Sequence, residues 1–122
     1  MASHVDLSSV LASFDAPWEP RTVAVLNDAY DVRLAHTRGE FPRHSHPETD
    51  ELFLVLSGHL TLRLDDGDVE LAAGQMYVVP RGVPHQPVSP DGAQILLIEP
   101  SETVNTGDAP GALTAERRVV QS

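Results

Sequence analysis

From residue 21 onward the apolar positions come in short runs with a two-residue period, whereas the opening stretch carries a longer one. Leu7, Val10, Leu11 and Phe14 recur at helical spacing behind Asp6, a side chain suited to capping, so a short helix is expected over 6–13. Strands are expected over 22–26 and 30–37, joined by a turn at Asn27-Asp28, with Val32 and Leu34 alternating against Asp31 and Arg33. The runs 52–56 and 60–64 flank Ser57-Gly58 and read as a second hairpin, with Gly58 supplying the unusual backbone angle. The first of these runs is apolar in both phases, which implies cover on both faces, one of them from another layer or a second subunit. Asp65-Asp66-Gly67-Asp68 marks a third turn and Ala73-Gly74 a fourth, with short strands over 69–71 and 76–79. Pro80-Arg81-Gly82 ends the latter, and a strand over 93–98 follows a turn at Pro90-Asp91-Gly92. Beyond Pro100 the composition becomes polar and turn-rich, so 101–122 reads as a loop or wrapped tail, with Val119-Val120 adding an edge strand. Strands every 8 to 12 residues or so, with turns between, predict an antiparallel all-β sandwich or barrel.

Composition agrees and narrows the chemistry. With 122 residues, 41% hydrophobic and 21% charged, the chain suits a single domain spanning 1–122 with one core. The net charge of −10, with 18 carboxylates against 8 arginines and no basic stripe, excludes a nucleic-acid surface. The apolar runs fall far short of the roughly 20 residues that cross a bilayer, and no leader-like pattern opens the chain, so a cytoplasmic location is expected. Cysteine and lysine are both absent, which removes thiolate nucleophiles, Schiff bases, P-loop lysines, disulfides and iron–sulfur clusters. Histidine and carboxylate chemistry remains.

His44 and His46 stand two residues apart between Pro42 and Pro47, and in extended chain this sets both imidazoles on one face, about 7 Å apart. Glu51 opens an apolar strand, where a carboxylate is costly unless its charge is compensated, and a cation would compensate it. His85 follows a Pro-x-Gly corner; on its own it would be a solvated turn residue.

Taken together these positions resemble the cupin superfamily. The first cupin motif appears as Gly39, His44-Ser45-His46, Glu51 after four residues and Gly58 after six more; the second as Gly74, Pro80-Arg81-Gly82 and His85. The spacing before His44 is one residue shorter than the commonest form, and Ser89 stands where the second motif usually ends in asparagine. The resemblance implies an antiparallel double-stranded β-helix, or jelly-roll barrel, with its core over about 20–100 behind the short N-terminal helix. It implies one divalent transition metal on His44, His46, Glu51 and His85. Three imidazoles and a carboxylate suit iron, manganese, nickel, copper, cobalt or zinc without choosing among them. It also implies a homodimer and a small-molecule ligand.

Alternation from Glu51 assigns Phe53 and Val55 to the pocket wall, and either Met76 or Tyr77 reaches it from the following strand. His36 and Tyr77 are the candidates for proton transfer, His36 because it shares the parity of Val32 and Leu34. Gln86 and Gln94 are candidate partners for the imidazole N–H groups. His4 and His59 carry no such argument. The fold does not decide among functions. The expected function is a metal-dependent enzyme on a small organic molecule, an oxygenase or an isomerase, lyase or cyclase; the alternative is a non-catalytic binding barrel. A sensory domain of a transcription regulator would need a helix-turn-helix segment, for which the chain has no room.

Overall fold

A computed structural model describes residues 4–120. The elements in chain order are α1 (Leu7–Ala12), β1 (Arg21–Leu26), β2 (Tyr30–Glu40), β3 (Glu51–Leu64), β4 (Gly67–Ala72), β5 (Met76–Val79) and β6 (His85–Pro100). Asp6 caps α1 as its side chain suggests, accepting the Ser9 backbone N–H. The named strands pair antiparallel in the order β1-β2-β6-β3-β4, with β5 also on β3. This is the expected all-β barrel with its short helix.

Two expected reversals are absent. β3 runs through Ser57-Gly58 as one 14-residue strand, and β6 runs through Pro90-Asp91-Gly92 as one 16-residue strand. The glycines of the two segments meet: Gly58 pairs with Ala93, and the β3–β6 register slips on either side of Ser57-Gly58. A Cβ on Gly58 would lie 2.4 Å from the Gly92 carbonyl oxygen, and both glycines hold positive φ, 81° and 85°. They therefore supply a bulge that bends a continuous strand, where local sequence suggested a hairpin. The slip also changes which parity faces inward: Glu51, Phe53 and Val55 before it, Leu60 and Leu62 after it.

The inward face of β2 is the reverse of the one expected. Asp31, Arg33, Ala35 and Thr37 are buried on the inner side, while Val32, Leu34 and His36 lie on the outer side, where Leu34 is nonetheless fully buried. Pairing with β6 sets Asp31 opposite Glu99 and Ala35 opposite Ile95, and the inward charges compensate one another. The core gathers Phe53, Val55, Leu60, Leu62, Ile95 and Leu97 inside the barrel. The tail after Pro100 does wrap, and the edge strand expected at Val119-Val120 is one parallel bridge from Val119 to Thr22.

Candidate metal centre

His44, His46, Glu51 and His85 converge, all four buried, with one possible ligand atom from each lying within 4.8 Å of the others. Donor atoms about 2.1 Å from a common ion stand roughly 3 to 4.2 Å apart, so a small contraction would close the set on a metal. The two motifs meet directly: the His44 backbone N–H donates to the His85 carbonyl at 3.0 Å and the His85 N–H returns the bond at 2.8 Å. Glu51 is brought in as the first inward residue of β3.

The imidazoles are oriented by backbone carbonyls. Nδ1 of His44 lies 2.8 Å from the Pro42 carbonyl oxygen and Nδ1 of His85 lies 3.0 Å from that of Val83, so each Nδ1–H donates outward and each Nε2 is left for the centre. Nε2 of His85 then faces Glu51 Oε1 at 3.2 Å, and Nε2 of His46 faces the same oxygen at 3.4 Å. A lone pair held against a carboxylate needs a proton or a metal ion between them. His46 Nε2 is moreover a buried nitrogen with no hydrogen-bond partner. An orphaned donor atom amid neutral imidazoles and a carboxylate fits a divalent transition ion.

Burial lowers the His44 pKa to about 4, which keeps its lone pair free at neutral pH. For Glu51, burial pushes upward, but the His46 and His85 imidazoles beside it and a hydrogen bond with Glu99 outweigh it and hold the carboxylate ionised, well below the usual range. Glu99 is displaced the other way, by its burial and then by the charge of Glu51, against the pull of Arg33.

Beside the ligands lies a small cavity of about 40 Å³ lined by Ala35, Phe53, Ile95 and Leu97 and by Trp18 and Phe41. The Trp18 and Phe41 rings are 4.9 Å apart, and Phe41 meets His44 edge-on at 5.3 Å. Trp18 is fixed by its indole N–H donating to the Arg38 carbonyl at 2.9 Å.

Of the wall residues expected from alternation, Phe53 lines the cavity. Val55 does not; it is buried deeper, within the core cluster. Met76 is excluded, since β5 pairs it with outward-facing Leu54 and leaves it 54% exposed. Tyr77, paired with Phe53, takes the inner side but packs on the core cluster instead of lining the cavity. His36 is also away from the centre: on the outer side of β2 its Nε2 lies 2.9 Å from the Leu11 carbonyl oxygen, and its ring packs edge-on against Phe14. Gln94 accepts from Ser57 Oγ, so carbonyls, not glutamines, back the imidazoles.

Several residues at the site went unread in the sequence. Asp108 accepts both the Ser45 backbone N–H at 2.7 Å and its hydroxyl at 2.9 Å, clamping the tail onto the loop between the two ligand histidines. Gly107 sits so close that a Cβ would lie 2.2 Å from the Ser45 carbonyl oxygen and 3.0 Å from the His44 ring. Glu99 enters the cavity from β6, and Asn105 enters from the tail. The signal for Glu99 was a lone carboxylate in an apolar run, the same signal that singled out Glu51.

The Cupin domain family matches residues 30–99, which hold both motifs and all four ligand candidates. This chain is a cupin. A cupin-2 domain protein from Shewanella frigidimarina is similar at 38% identity, with a TM-score of 0.76 over 79% of this chain and 93% of that one. Protein NMB1881 from Neisseria meningitidis has 27% identity and a TM-score of 0.72 over 81% of this cupin and all of that chain (100%). The uncharacterised protein YdbB of Bacillus subtilis is 38% identical over 66 residues; the match spans 53% of this cupin and 58% of YdbB. More distant similarities, both at 28% identity, include a sugar phosphate isomerase of the cupin superfamily from Silicibacter pomeroyi (TM-score 0.53, 59% of this cupin, 50% of that chain) and the polyketide cyclase RemF from Streptomyces resistomycificus (TM-score 0.55, 61% and 56%).

Proposed function

We propose that this cupin is a metal-dependent enzyme acting on a compact organic molecule that presents oxygen atoms to the ion. The observation that carries the reading is the convergence of three imidazole nitrogens and one carboxylate at the edge of an apolar cavity. A divalent transition ion bound there supplies Lewis acidity toward substrate oxygens and, if it is iron or copper, electron transfer. His44, His46, Glu51 and His85 would hold it, with the Pro42 and Val83 carbonyls fixing two of the rings. Phe53, Ile95 and Leu97 keep the cavity wall apolar, and Trp18 and Phe41, their rings tilted by 40°, add aromatic surface to it. The isomerase and cyclase among the structural neighbours support a reaction class of enolisation or ring closure; an oxygenase remains the second class, favoured if the ion is redox-active.

Metal analysis of the purified protein, followed by oxygen-uptake and product assays with enolisable diketones and phenols, tests the reading. Redox-active iron or copper with substrate-dependent uptake assigns an oxygenase. Turnover without uptake assigns isomerisation or cyclisation. Binding without turnover reduces the protein to a ligand-holding barrel. His46→Ala removes the orphaned nitrogen and is expected to abolish metal retention; unchanged metal content would overturn the ligand assignment.

We further propose a homodimer formed through the outer face of the barrel, where Val32, Ile98, Leu52 and Val78 continue across four strands in one row and Leu96, Leu54 and Met76 across three in the next. No charged side chain interrupts those rows in a molecule of charge −10, so a second copy of the same uncharged face is the partner it suits.

A further inference from the structure

Among the described residues three that are not glycine hold a positive φ. Asn27 and Asp28 lie in the turn between β1 and β2; the third, Trp18 at φ 64°, borders the cavity of the metal centre. A bulky residue in the left-handed region is strained and persists only where its surroundings over-determine it. Here they do. The Trp18 N–H donates to the His36 carbonyl at 2.9 Å, and the Trp18 carbonyl accepts from Asn105 Nδ2 at 3.3 Å. The backbone is thus fixed on both sides, whereas the indole is held by one hydrogen bond, to the Arg38 carbonyl at 2.9 Å, and by its contact with Phe41.

What lies on either side of Trp18 gives this arrangement its meaning. The inner cavity, which Trp18 shares with His44 and Glu51, measures about 40 Å³. An apolar cavity of about 150 Å³ takes a benzene ring, so the closed chamber takes water-sized occupants and no ring. On its other side Trp18 borders a surface groove of about 260 Å³ bounded by tail residues 112–116. Most other apolar walls of the chamber, Ala35, Phe53, Ile95 and Leu97, are strand residues locked in the β2–β6 and β3–β6 ladders. Phe41 is backed by the His44 ring. The indole is the wall that can leave by rotation about its own side-chain bonds, and the groove offers it room. Given a metal-dependent site, on which this inference rests, we infer that Trp18 is a gate: closed, it seals the metal centre, and a ring-sized ligand reaches the ion only when the indole has swung out toward the tail. While such a ligand is bound the gate stays open, because 40 Å³ cannot hold both.

Trp18 is the single tryptophan of the chain, so its fluorescence reports on the gate alone. In zinc-loaded, unaltered protein, saturation with catechol is expected to shift the emission to the red and to make acrylamide quenching more effective, as a buried indole becomes exposed. Unchanged emission at saturating catechol overturns the gate. The second arm follows cobalt-loaded protein by the visible absorption of the ion, with catechol and the three-atom ligand azide as probes. Trp18→Gly removes the indole and relieves the positive φ. With the open state populated at about 10% or less in the unaltered protein, catechol association is expected to accelerate at least about tenfold in the variant, and azide association no more than about twofold. Equal acceleration of both probes would mean that the substitution merely loosens the centre, and it overturns the inference, as does unchanged catechol association. Should Trp18→Gly fail to fold, the fluorescence arm decides, since it needs no variant. Protein that takes up neither zinc nor cobalt overturns the metal reading underneath, and metal analysis separates that failure from a loaded centre without a gate.

Discussion

His44 shows how a single buried side chain ties the centre to pH. An imidazole in the unfolded chain titrates near 6.5, whereas burial lowers it to about 4 in the folded protein. Between those values the unfolded chain binds a proton that the native one refuses, so metal-free protein is expected to lose up to ~3 kcal/mol as pH falls from 6.5 to 4. Urea midpoints measured across that window check it, and His44→Gln should flatten the slope. Arg33 is the other residue on which much depends. Arg33→Met leaves Glu99 in the interior without its ion-pair partner, and a loss of about 3 to 5 kcal/mol is expected in urea unfolding. The two residues differ in legibility. His44 belongs to a spaced motif whose chemistry is visible in one dimension, while Arg33 sits in a strand whose neighbours of either parity include apolar residues, so alternation alone could not tell which side was inside.

At the scale of elements, the bulge where β3 crosses β6 is what makes two long strands where three short ones were expected. Gly58→Ala drives a methyl group into the Gly92 carbonyl at a positive φ and is expected to cost about 2 kcal/mol, read as a lower urea midpoint. The effect should be on the barrel, with the four ligands still assembled in whatever fraction is folded. The tail acts on the centre instead. Asp108→Ala releases the segment from Ser45, and zinc affinity measured against a competing chelator is expected to weaken about tenfold, with the stability of the metal-free protein little changed. Local pattern read Ser57-Gly58 as a reversal because glycine beside a small polar residue serves a turn and a bulge equally well. Which one it becomes depends on what lies opposite, and Gly92 is 34 positions along the chain from Gly58.

For the whole molecule, the outer apolar face and the net charge of −10 pull in opposite directions. Sedimentation is expected to find a dimer that tightens as salt screens the mutual repulsion, and Met76→Glu should return it to a monomer with its metal content intact. The sequence by itself determined the all-β class, the capped helix and the four ligand candidates, because capping, two-residue alternation and motif spacing are properties of neighbouring residues along one strand. Only the tertiary structure decided that Asp31, Arg33 and Glu99 face inward, that Met76 and His36 face outward and that residues 107 and 108 close on the histidines. Those outcomes follow from strand register and from charges meeting across the barrel, and a chain apolar on both phases of its strands leaves register to be settled by the partners it finds.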